Sequence, residues 1–283
     1  MSNLRIGIPS KGRLADRTTD LMRQAGLSFR RQDRSLFARV REMPVDITFL
    51  RTDDIPTLCA EGAIDLGITG SDLVAERGVE LKERLRLGVG KCRLAVCVPV
   101  DGELKSAKDL DGRRIATSFT RVTQDYLASH GATAHLVELS GSVEIMISLG
   151  VADAIVDLVE TGSTLAANRL TILDEIDQYE TVVVQGSHCR DTELADRVVR
   201  RLEGVVIARS YSLLEYNIPR SRLSEAEVIT PGFDSPTVNS LEDPLWCAVR
   251  VMVKHGALAE AMDQLEAIGA SALLETRIEN CRL

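Results

Sequence analysis

Gly62-Ala63-Ile64-Asp65-Leu66-Gly67-Ile68-Thr69-Gly70-Ser71-Asp72-Leu73 recurs, four residues longer, as Gly150-Val151-Ala152-Asp153-Ala154-Ile155-Val156-Asp157-Leu158-Val159-Glu160-Thr161-Gly162-Ser163-Thr164-Leu165. In both copies a glycine stops a helix, an aspartate opens an apolar strand, and a Thr-Gly-Ser turn leads into a further helix. Strand, turn and helix in that order is the grammar of an α/β protein with largely parallel sheets. The same grammar extends to both sides. Leu4 to Ile8 reads as a strand broken at Pro9-Ser10-Lys11-Gly12, followed by a helix from Leu14 to Ala25 that Gly26 stops. Strand Val45 to Leu50, helix Asp54 to Cys59, strand Ala63 to Ile68 and helix Ser71 to Glu76 continue it. Beyond residue 90, strands Leu94 to Val98 and Arg114 to Thr117, helix Arg121 to Ser129 and strand His135 to Glu138 repeat it.

Two similar lobes facing a cleft, as in bilobal solute-binding proteins, would account for the repeat and would place ligands at strand ends and helix starts. Chance repetition of common turn chemistry is the alternative. The lobes would be residues 1–90 with 184–208, and residues 91–183. Past residue 209 the order becomes βαββαβ: strand Tyr211 to Tyr216, helix from Pro219, strands Thr237 to Leu241 and Trp246 to Lys254, helix Ala257 to Ile268, strand Ala272 to Ile278. Residues 209–283 make a unit small enough to gain from docking or self-association.

Hydrophobic residues make up 45% and charged residues 27%, a balance that excludes disorder. No apolar run approaches the roughly 20 residues a membrane helix needs, and Met1 to Arg5 lead straight into Ile6-Gly7-Ile8, so neither leader nor anchor is expected. Six scattered cysteines without a C-x-x-C pair, and four histidines away from zinc spacing, point to reduced thiols in the cytoplasm. A net charge of −8 argues against nucleic acid as a partner, yet residues 1–51 hold 11 Lys and Arg against 5 Asp and Glu. That basic segment suits an anionic small molecule, or is a solvated face.

The chemistry concentrates in residues 153–165. Backbone N–H groups at the helix start can surround a phosphate, Gly162 permits close approach, and the hydroxyls of Thr161, Ser163 and Thr164 add donors. Asp153 and Asp157 suit the two hydroxyls of a ribose diol. A plain helix cap at Thr161 or Ser163 is the competing reading.

This segment resembles the phosphoribosyl pyrophosphate loop of the ATP phosphoribosyltransferases, within the wider D-x-x-x-T-G-x-T pattern. Pro9-Ser10-Lys11-Gly12-Arg13-Leu14, Arg51-Thr52-Asp53-Asp54-Ile55-Pro56, Asp65 to Gly70, Arg114 to Thr117 and Gly141 to Glu144 resemble that family in the same order. Thr230-Pro231-Gly232, Ser235-Pro236-Thr237 and Ile268 to Ser271 are similar to its long form. The resemblance covers essentially the whole chain. It implies a bilobal α/β catalytic core of the periplasmic-binding-protein type with a C-terminal ferredoxin-like regulatory domain, and Mg2+ dependence. It also implies a homo-oligomer, a hexamer with a dimer form, inhibited by histidine. The expected reaction is transfer of phosphoribosyl to N1 of ATP. By motif, Glu144, Asp153, Ala154, Asp157, Thr161, Gly162, Ser163 and Thr164 would hold phosphoribosyl pyrophosphate, with Glu144, Asp153 and Asp157 catalytic. Lys11, Arg13, Arg51 and Asp72 would meet ATP, and Asn217, Ser235, Thr237 and Ala272 would bind histidine. Some long forms carry Asp where Asn217 stands.

No metal cage is visible, and the acid pairs Asp53-Asp54 and Asp174-Glu175 read as solvated turns or helix starts. Cys92, between Lys91 and Arg93, reads as a small strand residue rather than a reactive thiol. His130 and His135 read as surface residues, and Trp246 as core of the third unit. The rival function is a cytoplasmic bilobal ligand-binding or amino-acid-sensing protein without catalysis.

Overall fold

The computed structural model describes residues 3–32 and 35–282; Met1 and Ser2, where the leader reading begins, lie outside them. By compactness the chain forms one unit of Met1–Thr19 with Ser28–Val199 and a second of Asp20–Leu27 with Arg200–Leu283.

In the first unit, β1 (Leu4–Pro9) enters α1 (Gly12–Gln24), followed by β2 (Phe37–Arg39), β3 (Val45–Leu50), α2 (Ile55–Ala60), β4 (Leu66–Gly70), α3 (Ser71–Arg77) and β5 (Lys82–Arg86). The chain then builds a separate sheet from β6 (Cys92–Pro99), β7 (Arg114–Thr117), α4 (Thr120–Ser129), β8 (His135–Glu138), β9 (Ala154–Val159), α5 (Ser163–Ala167) and β10 (Leu170–Tyr179). It returns to the first sheet through β11 (Thr181–Gln185) and leaves along α6 (Thr192–Ala208). The strand orders are β2-β3-β1-β4-β11-β5 and β10-β6-β9-β7-β8. β1 lies parallel to β3 and β4, and β7 parallel to β8 and β9. Antiparallel pairs occur where the chain crosses between sheets, β11 on β4 and β6 on β9. This is a two-lobed α/β architecture. Leu66, Ile68, Ile155 and Val156 are fully buried because helices and loops cover both faces of these central strands.

The repeated aspartates do equivalent work in the two lobes. The Asp65 N–H donates to the Arg5 carbonyl at 2.8 Å, and the buried Asp65 carboxylate accepts the N–H groups of Arg5 at 2.7 Å and Arg190 at 2.8 Å, with the Arg190 guanidinium at 2.9 Å. Asp153 likewise accepts the Arg114 N–H at 2.9 Å and the Arg114 guanidinium at 2.8 Å. Each carboxylate therefore ties the entry of its strand, β4 or β9, to the start of a parallel neighbour, β1 or β7.

The second unit contains β12 (Tyr211–Pro219), α7 (Leu223–Ile229), β13 (Thr237–Ser240), β14 (Trp246–Lys254), α8 (His255–Ala267) and β15 (Ser271–Arg277). Its strand order, β13-β14-β12-β15, with every neighbour antiparallel, is the ferredoxin-like arrangement. Strict alternation along β12 and β14 buries Leu214, Tyr216 and Ile218 with Cys247, Val249 and Val251 against Leu258, Ala261 and Leu265 of α8. The Tyr216 hydroxyl meets Thr230 Oγ1 at 2.8 Å, and the Thr230 hydroxyl lies 3.0 Å from the Ala226 carbonyl, so both of these buried hydroxyls have a partner. The same alternation corrects the expectation for Trp246. It is half-buried and stands on the face opposite Cys247, outside the helix-covered core. Among the described residues no helix is long and apolar enough to cross a membrane.

Candidate active site

β9 ends at Val159 and delivers Glu160-Thr161-Gly162 into α5. Gly162 stands at φ 80°, a left-handed conformation that a side chain would strain, which fixes the turn's reversal at this residue. Thr161 Oγ1 and Ser163 Oγ lie 3.1 Å apart, while the Ser163 N–H reaches Thr161 Oγ1 only at 3.5 Å. That is too long for a firm cap. The turn forms one wall of a cavity of about 390 Å³, lined by Thr161 to Leu165, Glu144, Asp157, Glu160 and Arg13. Glu144 comes from a single 3-10 turn, Val143–Ile145, entered through Ser142 at φ 52°.

Asp157, half-buried on β9, accepts the Leu158 N–H at 2.8 Å. Burial pushes its carboxyl above the ordinary carboxylate range; the Leu158 bond opposes this and the charge of Glu144 adds to it. Two carboxylates are thus held beside a hydroxyl-rich turn, an environment for a ligand with both diol and phosphate groups.

A second cavity of about 430 Å³ is lined by Arg13, Arg17, Thr52, Asp72, Lys91, Glu160 and Glu180 among others. Arg13, Leu158 and Glu160 line both cavities, so the two adjoin. Asp72 sits in the first turn of α3, 8% exposed, and burial raises its carboxyl pKa, with the charge of Asp53 adding a smaller push. Cys92 also lines this cavity, and burial pushes its thiol up to about 11, which leaves it protonated and unreactive at neutral pH.

Of the residues expected from sequence, Glu144, Asp157, Thr161, Gly162, Ser163, Thr164, Arg13 and Asp72 are brought to these cavities. Asp153 and Ala154 are not: they stand at the entry of β9, and the loop lies past its exit, about 20 Å along a strand of six residues at roughly 3.3 Å each. Asp153 is occupied by Arg114, whose guanidinium holds the carboxyl below the usual range. Lys11 and Arg51 are exposed and line neither cavity, although their neighbours Arg13 and Thr52 do. Glu160, Arg17, Lys91 and Glu180 join the site without having been singled out. Glu160 lay inside the loop motif and Lys91 beside Cys92, whereas Arg17 and Glu180 carry no local signal. His130 and His135 are exposed, as expected.

In the second unit Asn217 pairs with Ser271 across β12 and β15, next to Ala272, which holds an uncommon φ of 51°. Thr237, on β13, pairs with Arg250 of β14, and alternation puts it on the same open face of the sheet as Asn217. Ser235 is exposed in the loop before β13.

Fold and adjoining cavities together define a two-lobed α/β protein with a ligand site in its first unit and a ferredoxin-like C-terminal unit. The family described as ATP phosphoribosyltransferase matches residues 51–204, and its C-terminal domain matches residues 208–280. An ATP phosphoribosyltransferase of Rhodopirellula baltica is 67% identical over 282 residues, covering 100% of this chain and 94% of that one. One of Saccharopolyspora erythraea is 42% identical, covering 99% and 100%. The solved ATP phosphoribosyl transferase (HisG:HisZ) complex from Thermotoga maritima contains a chain that superposes with a TM-score of 0.64 at 31% identity, covering 72% of this chain and 98% of that one. The chain belongs to the ATP phosphoribosyltransferase family.

Proposed function

We propose that phosphoribosyl pyrophosphate binds in the cavity of Asp157, Glu144 and the 161–165 turn, and ATP in the adjoining cavity of Arg13 and Asp72. The observation that carries this reading is the shared wall of Arg13, Leu158 and Glu160, which makes one site of two cavities. A bond forms between adenine N1 and the anomeric carbon of the ribose. The bond from that carbon to pyrophosphate breaks, and its electron pair leaves with pyrophosphate. This is the first step of histidine biosynthesis. Positive charge develops on the ribose, where the carboxylates of Asp157 and Glu144 are close enough to favour it. N1 is already unprotonated, so alignment of two bound substrates replaces a strong base. Glu144 and Asp157 are the cavity carboxylates that would help hold Mg2+. When bound, it neutralises the leaving pyrophosphate. Lys11 and Arg51 are assigned to the outer edge of the ATP cavity.

The test is pyrophosphate release on mixing the protein with ATP, phosphoribosyl pyrophosphate and Mg2+. Binding of both ligands without release would instead support the non-catalytic reading. Thr164→Ala should lower use of phosphoribosyl pyrophosphate roughly ten- to a hundredfold, the loss of one hydrogen bond to a charged group, with little change toward ATP. Equal loss toward both substrates, in a variant that folds normally, would remove the hydroxyl from the phosphate site.

Residues 1–90 with 184–208 and 91–183 are assigned to catalytic lobes, and 209–283 to regulation, in a cytoplasmic homo-oligomer, a hexamer with a dimer form. Histidine is the inhibitor assigned to Asn217, Ser235, Thr237 and Ala272. Asn217 offers a neutral carbonyl where a carboxylate would meet the ligand's ammonium more strongly. Asn217→Asp should therefore tighten inhibition about fivefold, a gain on the order of 1 kcal/mol. Calorimetry that detects no histidine binding to the intact protein at millimolar concentration would sink the assignment.

A further inference from the structure

α3 faces two ways. Its first turn lines the ATP cavity with Asp72 and Leu73. Its last turn is fastened to the other lobe: the Glu76 carboxylate accepts the Thr120 hydroxyl at 3.1 Å and the N–H groups of Arg121 at 3.0 Å and Val122 at 3.1 Å. These are donors that the start of α4 cannot satisfy within its own helix. Phe119 occupies the N-cap position of α4 and supplies no side-chain bond, so α4 takes its cap from across the lobes. Ala75 packs against the hydrophobic core that includes Leu94, Phe119 and Leu127. The Arg121 guanidinium lies over Gly78, where a Cβ would run into it. At the other end of the helix, the Ser71 N–H donates to the Glu180 carbonyl at 2.9 Å, and Ser71 Oγ accepts the Glu180 N–H at 3.1 Å.

We propose that Glu76 is a positioning residue for the transfer reaction: by capping α4 it fixes α3 across the two lobes and holds Asp72 in register with Leu158 and Glu160 of the other lobe. It touches no substrate. The effect on catalysis runs through the ATP cavity, so the inference rests on the placement of ATP there. A carboxylate is suited to the task because it has enough lone pairs for three donors and its charge complements the helix start.

The test compares Glu76→Ala, Glu76→Gln and Thr120→Val in the full chain, reading both KM values, kcat and amide exchange at Arg121 and Val122. Glu76→Ala is expected to raise the KM for ATP about tenfold while the KM for phosphoribosyl pyrophosphate stays within about twofold. Glu76→Gln, which keeps one acceptor, and Thr120→Val, which removes one donor, should shift ATP in the same direction by less. Faster exchange at Arg121 and Val122 should accompany the shift. Faster exchange with neither KM changed, or with both rising together, would reduce Glu76 to a structural cap and overturn the proposal. Should Glu76→Ala fail to fold, the Gln and Val variants decide by the same split. A wild-type protein that releases no pyrophosphate would fail the functional reading instead, a result separable from any of these.

Discussion

Asp157→Asn should lower kcat/KM for phosphoribosyl pyrophosphate roughly a hundredfold, the largest catalytic effect expected from a single change in the cleft. The amide keeps the volume of the carboxylate and can still accept the Leu158 N–H. It cannot offer charge to two ribose hydroxyls or to the developing positive charge, and two weakened charged hydrogen bonds amount to about 2.8 kcal/mol. The pH profile carries a second signature. Burial raises the pKa of Asp157, so activity that needs the carboxylate should fall away at a higher pH than an ordinary aspartate would dictate. Stability runs the other way. A carboxyl whose folded pKa lies above its unfolded value binds more protons when folded, so folding loses stability as pH rises from the unfolded pKa through the folded one. Asp157→Asn should therefore be less active and, at neutral pH, more stable; steady-state kinetics and thermal melts across pH check both. An unchanged kcat/KM would remove Asp157 from the proposed chemistry.

Asp65→Ala should cost about 3 kcal/mol of folding stability, at the lower end of what breaking a buried ion pair costs because Arg190 keeps some solvent contact. The substitution strands the Arg190 guanidinium and leaves the N–H groups of Arg5 and Arg190 without the acceptor they have at 2.7 and 2.8 Å. For a unit of this size that corresponds to a drop of roughly 8 °C in the melting midpoint. Asp65→Asn, which retains one acceptor oxygen, should lose less. A midpoint unchanged by Asp65→Ala would mean that the strand entry is held by other contacts.

Several parts of the fold legible in the sequence were those where burial leaves a pattern, although the buried β11 and the long α6 were not read. β4 and β9 are apolar runs closed by Thr-Gly-Ser, and β12 and β14 alternate because one face is covered by α7 and α8. β5 and β10 were not legible, and both are sheet edges. Lys82-Glu83-Arg84-Leu85-Arg86 carries the charge that keeps an edge strand from pairing further, and it lacks the apolar run that marks a strand. β10 shifts register between Ile172 and Asp174 and again between Glu175 and Asp177, and each bulge interrupts the alternation that identifies a strand. Of the residues expected together, the loop and Asp157 line one cavity, while Asp153 stands away from it for a metric reason. Four residues of strand separate the two aspartates by about 13 Å, further than one ribose spans, although the spacing keeps them on the same face. Arg17 and Glu180 were hidden because they reach the cleft only through tertiary folding of α1 and of the crossing between β10 and β11.

The paired strand entries also bear on how such an enzyme can change over evolutionary time. Asp65 and Asp153 brace the entries of β4 and β9, while the exits of the same strands supply Asp72, Glu160 and the 161–165 turn. Stability is invested at one end of each strand and the proposed chemistry at the other, about 20 Å away for β9. Substitutions at that separation combine almost additively. A lineage could then retune its substrate contacts at the exits, one residue at a time, without drawing on the reserve that keeps the lobes folded.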